Sequence, residues 1–442
     1  MVLTTGAEIE IDIQGFASSG SGVGRLDGLA VFVPGALPGE RVLALITRLR
    51  GKFAEARLLS IVRESAERTQ PPCPVFGRCG GCAMQQADYN FQLKLKRGFV
   101  YDTLRRIAKI DTAVSETIAS PEPYHYRHRM HYHAAWVKGK LHLGFFIQRS
   151  RILVEAAACL LAAPPISSLA QVLPDMLAPF RGELVDLRGV VLRCNSSGEQ
   201  MSLILLVNTP IMRGRELARQ LQGAVSNLTE VWECAGAPRN GTYGGHWQLL
   251  AGQSYLSEQL CGREFRLSPA AFTQVNPAVA ERLYQLVGSY AALTGAETVL
   301  DLYSGAGAIA LLLAGRAAQV IGVESFEPAV ADAERAAKLN GADNCRFICG
   351  AVELVLPRLA EQGVVVDVAV LDPPRAGCDA AALEALLMLQ PRRIIYVSCD
   401  PATLARDLRR LAEGGYQVGA VQPLDMFPQT GHVECVVLIT KL

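Results

Sequence analysis

What this chain of 442 residues lacks limits what it can be. No apolar run approaches the roughly 18–20 residues that a helix needs to cross a bilayer, so no membrane association is expected. The start, Met1-Val2-Leu3-Thr4-Thr5-Gly6-Ala7-Glu8, has neither a basic leader nor a long apolar core and does not read as a signal peptide. The cytoplasm is therefore the expected compartment. Net charge is +1, so no global field advertises a nucleic-acid partner, and any RNA contact must come from local patches. Internal repeats and low-complexity tails are also missing. Structural disulfides are rare in a reducing compartment, which leaves twelve cysteines to serve as metal ligands, catalytic groups or small buried apolar side chains.

What is present divides into three segments. Residues 1–63 read as a small β module: Glu8-Ile9-Glu10-Ile11-Asp12-Ile13 alternates with the period of a half-buried strand, and short apolar runs follow between glycine turns. This suits a five-stranded, OB-like barrel. Residues 64–290 open with a Cys/Gly/Pro stretch and continue as a mixed α+β region. It includes strands at 141–146 and 201–207 and a helix near 88–109 that carries Lys94, Lys96, Arg97, Arg105 and Arg106. From 291 to 442, short apolar strands ending at Asp301, Glu324, Asp372 and Val397 alternate with Ala/Leu-rich helices. That is the pattern of a Rossmann-like parallel sheet covered on both faces.

Three features of the third segment carry chemistry. Asp301-Leu302-Tyr303-Ser304-Gly305-Ala306-Gly307-Ala308 follows a strand and opens a helix, and its glycines let the backbone approach a ligand. Alone the loop could hold NAD, FAD or S-adenosylmethionine. It is shorter than the dinucleotide fingerprint, and Glu324 ends the next strand where it can accept from ribose hydroxyls, which favours the methyl donor. Asp372-Pro373-Pro374-Arg375 ends a later strand at the same sheet edge, where two prolines fix a rigid turn. Cys399 lies just past the β-branched run 394–397, and Glu434 ends Asp425-Met426-Phe427-Pro428-Gln429-Thr430-Gly431-His432-Val433-Glu434. A thiol and a carboxylate beside a nucleoside site suggest a nucleophile and a base for methyl transfer to an unreactive ring carbon.

Two further clusters stand earlier in the chain. Cys73, Cys79 and Cys82 have the spacing C-x5-C-x2-C, with glycines to bend the backbone. This suits an iron–sulfur site, with zinc as the runner-up because zinc sites more often use C-x2-C pairs. Tyr124-His125-Tyr126-Arg127-His128-Arg129-Met130-His131-Tyr132-His133 interleaves aromatic and basic residues. Such a stretch can stack unpaired bases and hold phosphates, or can simply be a strand with a solvated face.

Five of these stretches, in this order, resemble the RNA uracil-C5 methyltransferases, the 5-methyluridine family: Phe272-Thr273-Gln274-Val275-Asn276, the 301–307 loop, Asp372-Pro373-Pro374-Arg375, Ser398-Cys399-Asp400-Pro401 with the residues to Asp407, and 425–434. Gly22-Val23-Gly24-Arg25 through Gly39-Glu40 resembles a TRAM domain, an RNA-binding barrel. The resemblance implies that Cys399 is the nucleophile and Glu434 the base. It implies that Gln274, Tyr303, Gly305, Glu324 and Asp372 hold S-adenosylmethionine. It further implies a [4Fe–4S] cluster on Cys73, Cys79, Cys82 and, as fourth ligand, Cys159, where the ribosomal members carry a cysteine. The substrate expected on this basis is uridine in 23S ribosomal RNA, because bacterial tRNA members generally lack both barrel and cluster. The alternative is the same reaction on tRNA. No obligate protein partner is evident. Two departures from the family pattern are Asp400, where Asn is frequent, and Ala308, where Thr is frequent; neither removes a catalytic group.

Overall fold

The structure, a computed structural model, describes residues 3–236 and 245–442; residues 1–2 of the start read above, and 237–244, lie outside the described residues. The N-terminal strands close into a five-stranded barrel. In spatial order they are Glu8–Phe16, Ser21–Leu26, Leu29–Pro34, Phe53–Arg63 and Arg41–Arg50. The period-2 pattern sends Ile9, Ile11 and Ile13 inward, where they meet Val31, Val33, Val42, Ala44, Ile46, Ala54 and Ala56. Each isoleucine removed from water contributes about 1.5–3 kcal/mol, enough for so small a core to close.

The central segment builds a seven-stranded sheet in the order His246–Gly252, Leu228–Ala235, Met201–Val207, Gly189–Cys194, Arg129–Val137, Lys140–Phe146 and Leu153–Glu155. One face packs on the helices Pro164–Leu177 and Gly214–Ala224 around Leu143, Leu173, Leu192, Leu203 and Leu217. Met201–Val207 and Gly189–Cys194 are buried at every position, which explains why both read as continuous apolar runs.

The helix expected near 88–109 forms as Tyr89–Thr103, capped by Asp88, whose Oδ1 accepts the Asn90 N–H at 2.9 Å. A wider turn over Leu104–Ala108 ends it at Lys109 in the left-handed region, φ 57°. Its apolar side, Val100, Leu104 and Ala108, packs on the core of the C-terminal sheet. Helix Pro277–Ala291 does the same through Val279, Leu283 and Val287. Both begin before residue 291 in the chain, so the C-terminal packing unit recruits elements from the middle segment.

That C-terminal sheet has seven strands, ordered Cys345–Cys349, Gln319–Glu324, Thr298–Leu302, Val368–Leu371, Arg393–Ser398, Glu434–Lys441 and Tyr416–Leu424. The first five are parallel, and Glu434–Lys441 runs antiparallel to Arg393–Ser398. Strand order reverses direction at Thr298–Leu302, so a crevice opens there at the carboxyl ends of the strands. Among the described residues no helix is long and apolar enough to cross a membrane.

Candidate active site

A cavity of about 790 Å³ opens at this crevice. Its wall includes Gln274, Tyr303, Gly305, Glu324, Asp372, Cys399 and Glu434, the whole set of nucleophile, base and cofactor residues expected from sequence. That volume suits a nucleoside-sized ligand. A smaller cavity of about 100 Å³ adjoins it and shares Gln274, Tyr303, Gly305 and Asp372.

The cofactor loop owes its shape to three left-handed residues, Tyr303 (φ 64°), Gly305 (φ 53°) and Gly307 (φ 82°). At Gly307 a Cβ would meet Ala333 and Phe347 at 3.0–3.1 Å, so the close approach of loop and neighbours requires glycine. The Gly305 N–H donates to Glu324 Oε2 at 3.1 Å, and the Phe326 N–H donates to Glu324 Oε1 at 2.8 Å. The Ser325 hydroxyl also donates to Oε1, at 3.2 Å, so the carboxylate is fixed by protein donors and Oε2 keeps a lone pair for a ligand hydroxyl. Behind the loop, Asp301 is fully buried and accepts the Ala310 N–H at 2.9 Å; burial, with Asp372 nearby, pushes its carboxyl up to about 8.

Cys399 and Glu434 meet through strand register. Ser398 pairs with Cys435 in the antiparallel ladder, so the next residues outward, Cys399 and Glu434, stand opposite one another. Glu434 is 2% exposed. Burial holds its carboxyl well above the ordinary carboxylate range; Asp372 adds to this and Arg375 opposes it. The Cys399 thiol is pushed up to about 11 by burial and then by Glu434, again opposed by Arg375. Burial raises Asp372 as well. Arg375 is the cation that opposes the rise at both Glu434 and Cys399, a role the sequence signalled only by placing it in the Asp-Pro-Pro-Arg turn. Beside it, burial and then the Arg375 charge push His432 down to about 4, so this imidazole is neutral at physiological pH. Arg127 and Phe272 also line the cavity, and Phe272 is 67% exposed at its wall.

The loop that carries Glu434 is clamped from several directions. The Ala83 and Met84 N–H groups both donate to the Gln429 carbonyl, at 2.9 and 3.1 Å. Gln92 exchanges two hydrogen bonds with Gln429: its Nε2 donates to Oε1 at 3.0 Å, and its Oε1 accepts the backbone N–H at 3.1 Å. Gln429 sits at φ 68°, a conformation that costs about 1–3 kcal/mol and needs such anchoring. Lys96 and Asp425, both wholly buried, pair at 2.5 Å, and Lys96 also donates to the Phe427 carbonyl at 3.0 Å. Tyr126 donates to the Pro428 carbonyl at 3.1 Å. On the remaining side the barrel presses in, where a Cβ at Gly431 would run into the Ser18 carbonyl.

The four sequence-selected cysteines come together as well. Cys73, Cys79, Cys82 and Cys159 line one cavity of about 450 Å³, with Phe76, Phe145 and Arg127 among the other walls. Burial pushes the Cys82 thiol up to about 12, and the thiols of Cys159, Cys79 and Cys73 add to it. Yet no three His, Cys, Asp or Glu side chains among the described residues converge tightly enough to hold a single ion. The donor set is soft and gathered, but it surrounds a volume instead of a point.

The aromatic–basic stretch behaves differently from expectation. Tyr126 and Tyr132 are 3% and 0% exposed, so neither offers a face to a base. Alternation within the strand Arg129–Val137 points Met130 and Tyr132 into the helix-covered core and leaves His131 and His133 on the other face. Arg127 stands between two sites, lining both the active-site cavity and the cysteine cavity.

An open sheet with a glycine loop at its switch point defines a ligand-binding, doubly wound α/β fold. Known proteins narrow it. Residues 88–442 match the family described as tRNA (Uracil-5-)-methyltransferase, and residues 2–59 match the TRAM domain. The chain belongs to the uracil-5 RNA methyltransferase family, S-adenosylmethionine-dependent enzymes, and carries an N-terminal TRAM domain. An uncharacterized RNA methyltransferase of Listeria innocua serovar 6a is 37% identical over 447 aligned positions, which cover 99% of each chain. Another, from Clostridium acetobutylicum, is 35% identical over 98% of this chain and 97% of its own. Pyrococcus abyssi tRNA (uracil-54, C5)-methyltransferase, solved in complex with S-adenosyl-L-homocysteine, has the same fold: TM-score 0.75 at 24% identity, covering 98% of this chain and 100% of that one.

Proposed function

We propose that this enzyme methylates uracil C5 in 23S ribosomal RNA, forming 5-methyluridine through a covalent bond between Cys399 and uracil C6. The observation that carries the reading is the pairing of Cys399 and Glu434 across adjacent strand ends, inside the cavity that also holds the glycine loop. Uracil C5 is a poor nucleophile, so the ring must be activated before it can take a methyl group. When bound, S-adenosylmethionine supplies an electrophilic methyl carbon on a sulfonium. Gln274, Tyr303, Gly305, Glu324 and Asp372 hold it at the switch point.

Cys399 loses its thiol proton to solvent and attacks C6, and the C5–C6 π pair moves onto C5 and the O4 carbonyl. C5 then takes the methyl, and the broken S–CH3 pair stays on sulfur, giving S-adenosylhomocysteine. The Glu434 carboxylate removes the C5 proton; that C–H pair re-forms the double bond and expels the Cys399 thiolate. One methyl enters and one C5 proton leaves. Inside a helix the base is out of reach, so the target uridine is flipped or lies in a loop, and exposed Phe272 is placed to stack against it or its neighbour.

The cysteine cavity is assigned a [4Fe–4S] cluster on Cys73, Cys79, Cys82 and Cys159. A cluster is a body with its own volume, so its thiolates stand around it, whereas zinc draws four ligands to about 2.0–2.3 Å of one point. Phe76 and Phe145 would shield it from water. Iron and sulfide content and visible absorbance after anaerobic purification test this without any turnover. The twelve cysteines are all free thiols, and an RNA substrate with unpaired thiols fits the cytoplasm.

The barrel alone does not separate the two candidate substrates, since the P. abyssi tRNA enzyme shares the fold over its full length. The four-cysteine cavity is what favours ribosomal RNA, and tRNA is the second reading. The test is transfer of labelled methyl groups to unmodified 23S RNA and unmodified tRNA side by side, with the product nucleoside identified by mass spectrometry. 5-Methyluridine in 23S RNA alone supports the proposal. Label in tRNA alone keeps the chemistry and replaces the substrate. No label in either overturns the reading.

A further inference from the structure

The smaller cavity of about 100 Å³ is a branch of the active-site cavity with a wall of its own. Gln274, Tyr303, Gly305 and Asp372 line both, whereas Glu324, Cys399 and Glu434 line only the larger one. Three buried polar atoms belong to residues of the branch wall and have no hydrogen-bond partner among the described residues: Arg193 Nη2, Asp301 Oδ1 and Ser304 Oγ. Arg193 is 1% exposed and Asp301 0%. A buried polar atom without a partner is costly, and a charged one more so. Two of opposite sign around one small space therefore point to a ligand that carries both charges.

The two charged groups come from different sheets. Arg193 stands on strand Gly189–Cys194 of the central sheet, and Asp301 on strand Thr298–Leu302 of the C-terminal sheet. Each is anchored through one atom and free at another. Arg193 Nη1 donates to the Ser268 and Pro269 carbonyls at 2.9 and 3.1 Å, which orients the guanidinium. Asp301 Oδ2 accepts the Ala310 N–H at 2.9 Å, which orients the carboxyl. Glu230, Asp332 and Glu258 offset the Arg193 charge from a distance, but no carboxylate among the described residues pairs with it directly. Glu258, in the same wall, is engaged by the Ser196 N–H at 3.1 Å and the Ser196 hydroxyl at 2.6 Å. Water filling the branch would satisfy the hydrogen bonds, but it brings no counter-charge to a buried guanidinium.

A ligand with its ribose on Glu324 passes the four shared residues and enters the branch with its other end. In S-adenosylmethionine that end is an amino acid, with one ammonium and one carboxylate. We propose that the branch holds this amino-acid end, with the carboxylate on Arg193 Nη2 and the ammonium on Asp301 Oδ1. The cofactor then ties the central sheet to the C-terminal sheet, and Arg193 determines cofactor specificity from outside the sheet that carries the glycine loop. Charge-assisted hydrogen bonds of this kind are stronger than neutral ones. An ammonium beside Asp301 also favours its ionised form, which burial opposes. The inference rests on the S-adenosylmethionine reading of the site and not on which RNA is methylated.

Three probes are titrated calorimetrically into the full-length protein without RNA. They are S-adenosylhomocysteine, S-adenosyl-3-thiopropylamine (the same molecule without its carboxylate) and 5′-methylthioadenosine, which lacks the whole amino-acid end. The wild type binds S-adenosylhomocysteine about 10–100-fold more tightly than the decarboxylated compound, the range for a hydrogen bond to a charged group. The decarboxylated compound, through its ammonium, in turn binds more tightly than 5′-methylthioadenosine. Arg193→Gln abolishes the preference for the carboxylate and leaves 5′-methylthioadenosine binding unchanged. Arg193→Lys, which keeps the charge and loses the fork, retains part of the preference. Equal weakening of all three probes by Arg193→Gln would make Arg193 only a support of the segment at 268–269 and overturn the proposal. So would a wild type that does not distinguish S-adenosylhomocysteine from the decarboxylated compound, a result that depends on no variant folding. A wild type that binds none of the three overturns this inference together with the cofactor reading. Should methyl transfer to RNA fail while the binding preference stands, the amino-acid subsite survives and the catalytic reading does not.

Discussion

Two regions of this molecule present buried thiols, and they differ in their company. At Cys82 burial drives the thiol up to about 12, and the nearest titratable neighbours are three more cysteines. At Cys399 burial drives the thiol up to about 11, and the neighbours are Glu434, Arg375 and Asp372. Burial alone therefore does not distinguish an inert thiol from a reactive one. A set of like, soft donors around a volume suits a metal cluster, because each thiolate is neutralised by the metal it binds. One thiol opposite a buried carboxylate and an arginine suits covalent catalysis, because the same carboxylate that holds the thiol neutral can later remove a proton. Arg127 and the Ala83–Gln429 hydrogen bond link the two regions physically.

Exchanging the two thiols for alanine should separate the regions most sharply. Cys399→Ala removes the nucleophile and lowers methyl transfer on the order of 10⁶-fold, in effect to background, while visible absorbance and iron content stay at the wild-type level. Cys82→Ala reverses the pattern in the iron assay. A Cys399→Ala protein that had also lost its iron would break the comparison.

Glu434→Gln should lower turnover about 10²–10⁴-fold and leave protein covalently bound to RNA, because the C5 proton has no acceptor. Denaturing electrophoresis with labelled RNA reads this directly; slow turnover with no trapped species would assign the base elsewhere.

Lys96→Met tests the helix that joins the regions. It leaves Asp425 as an uncompensated buried charge, and the expected cost is about 3–5 kcal/mol, read as a lower urea midpoint. A change under 1 kcal/mol would mean that the pair contributes little to holding the loop.

The smallest expected effect concerns pH. With its pKa at about 11, Cys399 is mostly thiol at neutral pH, so alkylation by iodoacetamide should rise about tenfold per pH unit until that value is approached. Glu434→Gln removes one of the charges that raise it, so the profile should move to lower pH. A profile unchanged by Glu434→Gln would mean that the two side chains do not sense one another.

Much of the catalytic cavity was legible in the sequence because each of its walls is a short motif at a strand end. The 301–307 loop, Glu324, Asp372 and Cys399 all follow apolar runs, and the parallel sheet gathers such ends at one edge. The closed barrel followed from period-2 alternation between glycine turns. Lys96 was not legible. It reads as one cation on a basic helix, yet it is fully buried, because its partner Asp425 lies 329 residues away in the chain. Tyr126 and Tyr132 mislead in the same way, since an aromatic–basic alternation does not say which face is covered; the helix Pro164–Leu177 decides that.

The most direct test of the central claim is incubation of the wild-type enzyme with S-adenosylmethionine and RNA carrying 5-fluorouridine, followed by peptide mass spectrometry. Fluorine at C5 cannot leave as a proton, so elimination stalls after methyl transfer. The account predicts a methylated fluorouracil adduct on the peptide containing Cys399. An adduct on Cys73, Cys79, Cys82 or Cys159, or no adduct in an enzyme that still methylates ordinary RNA, would contradict it.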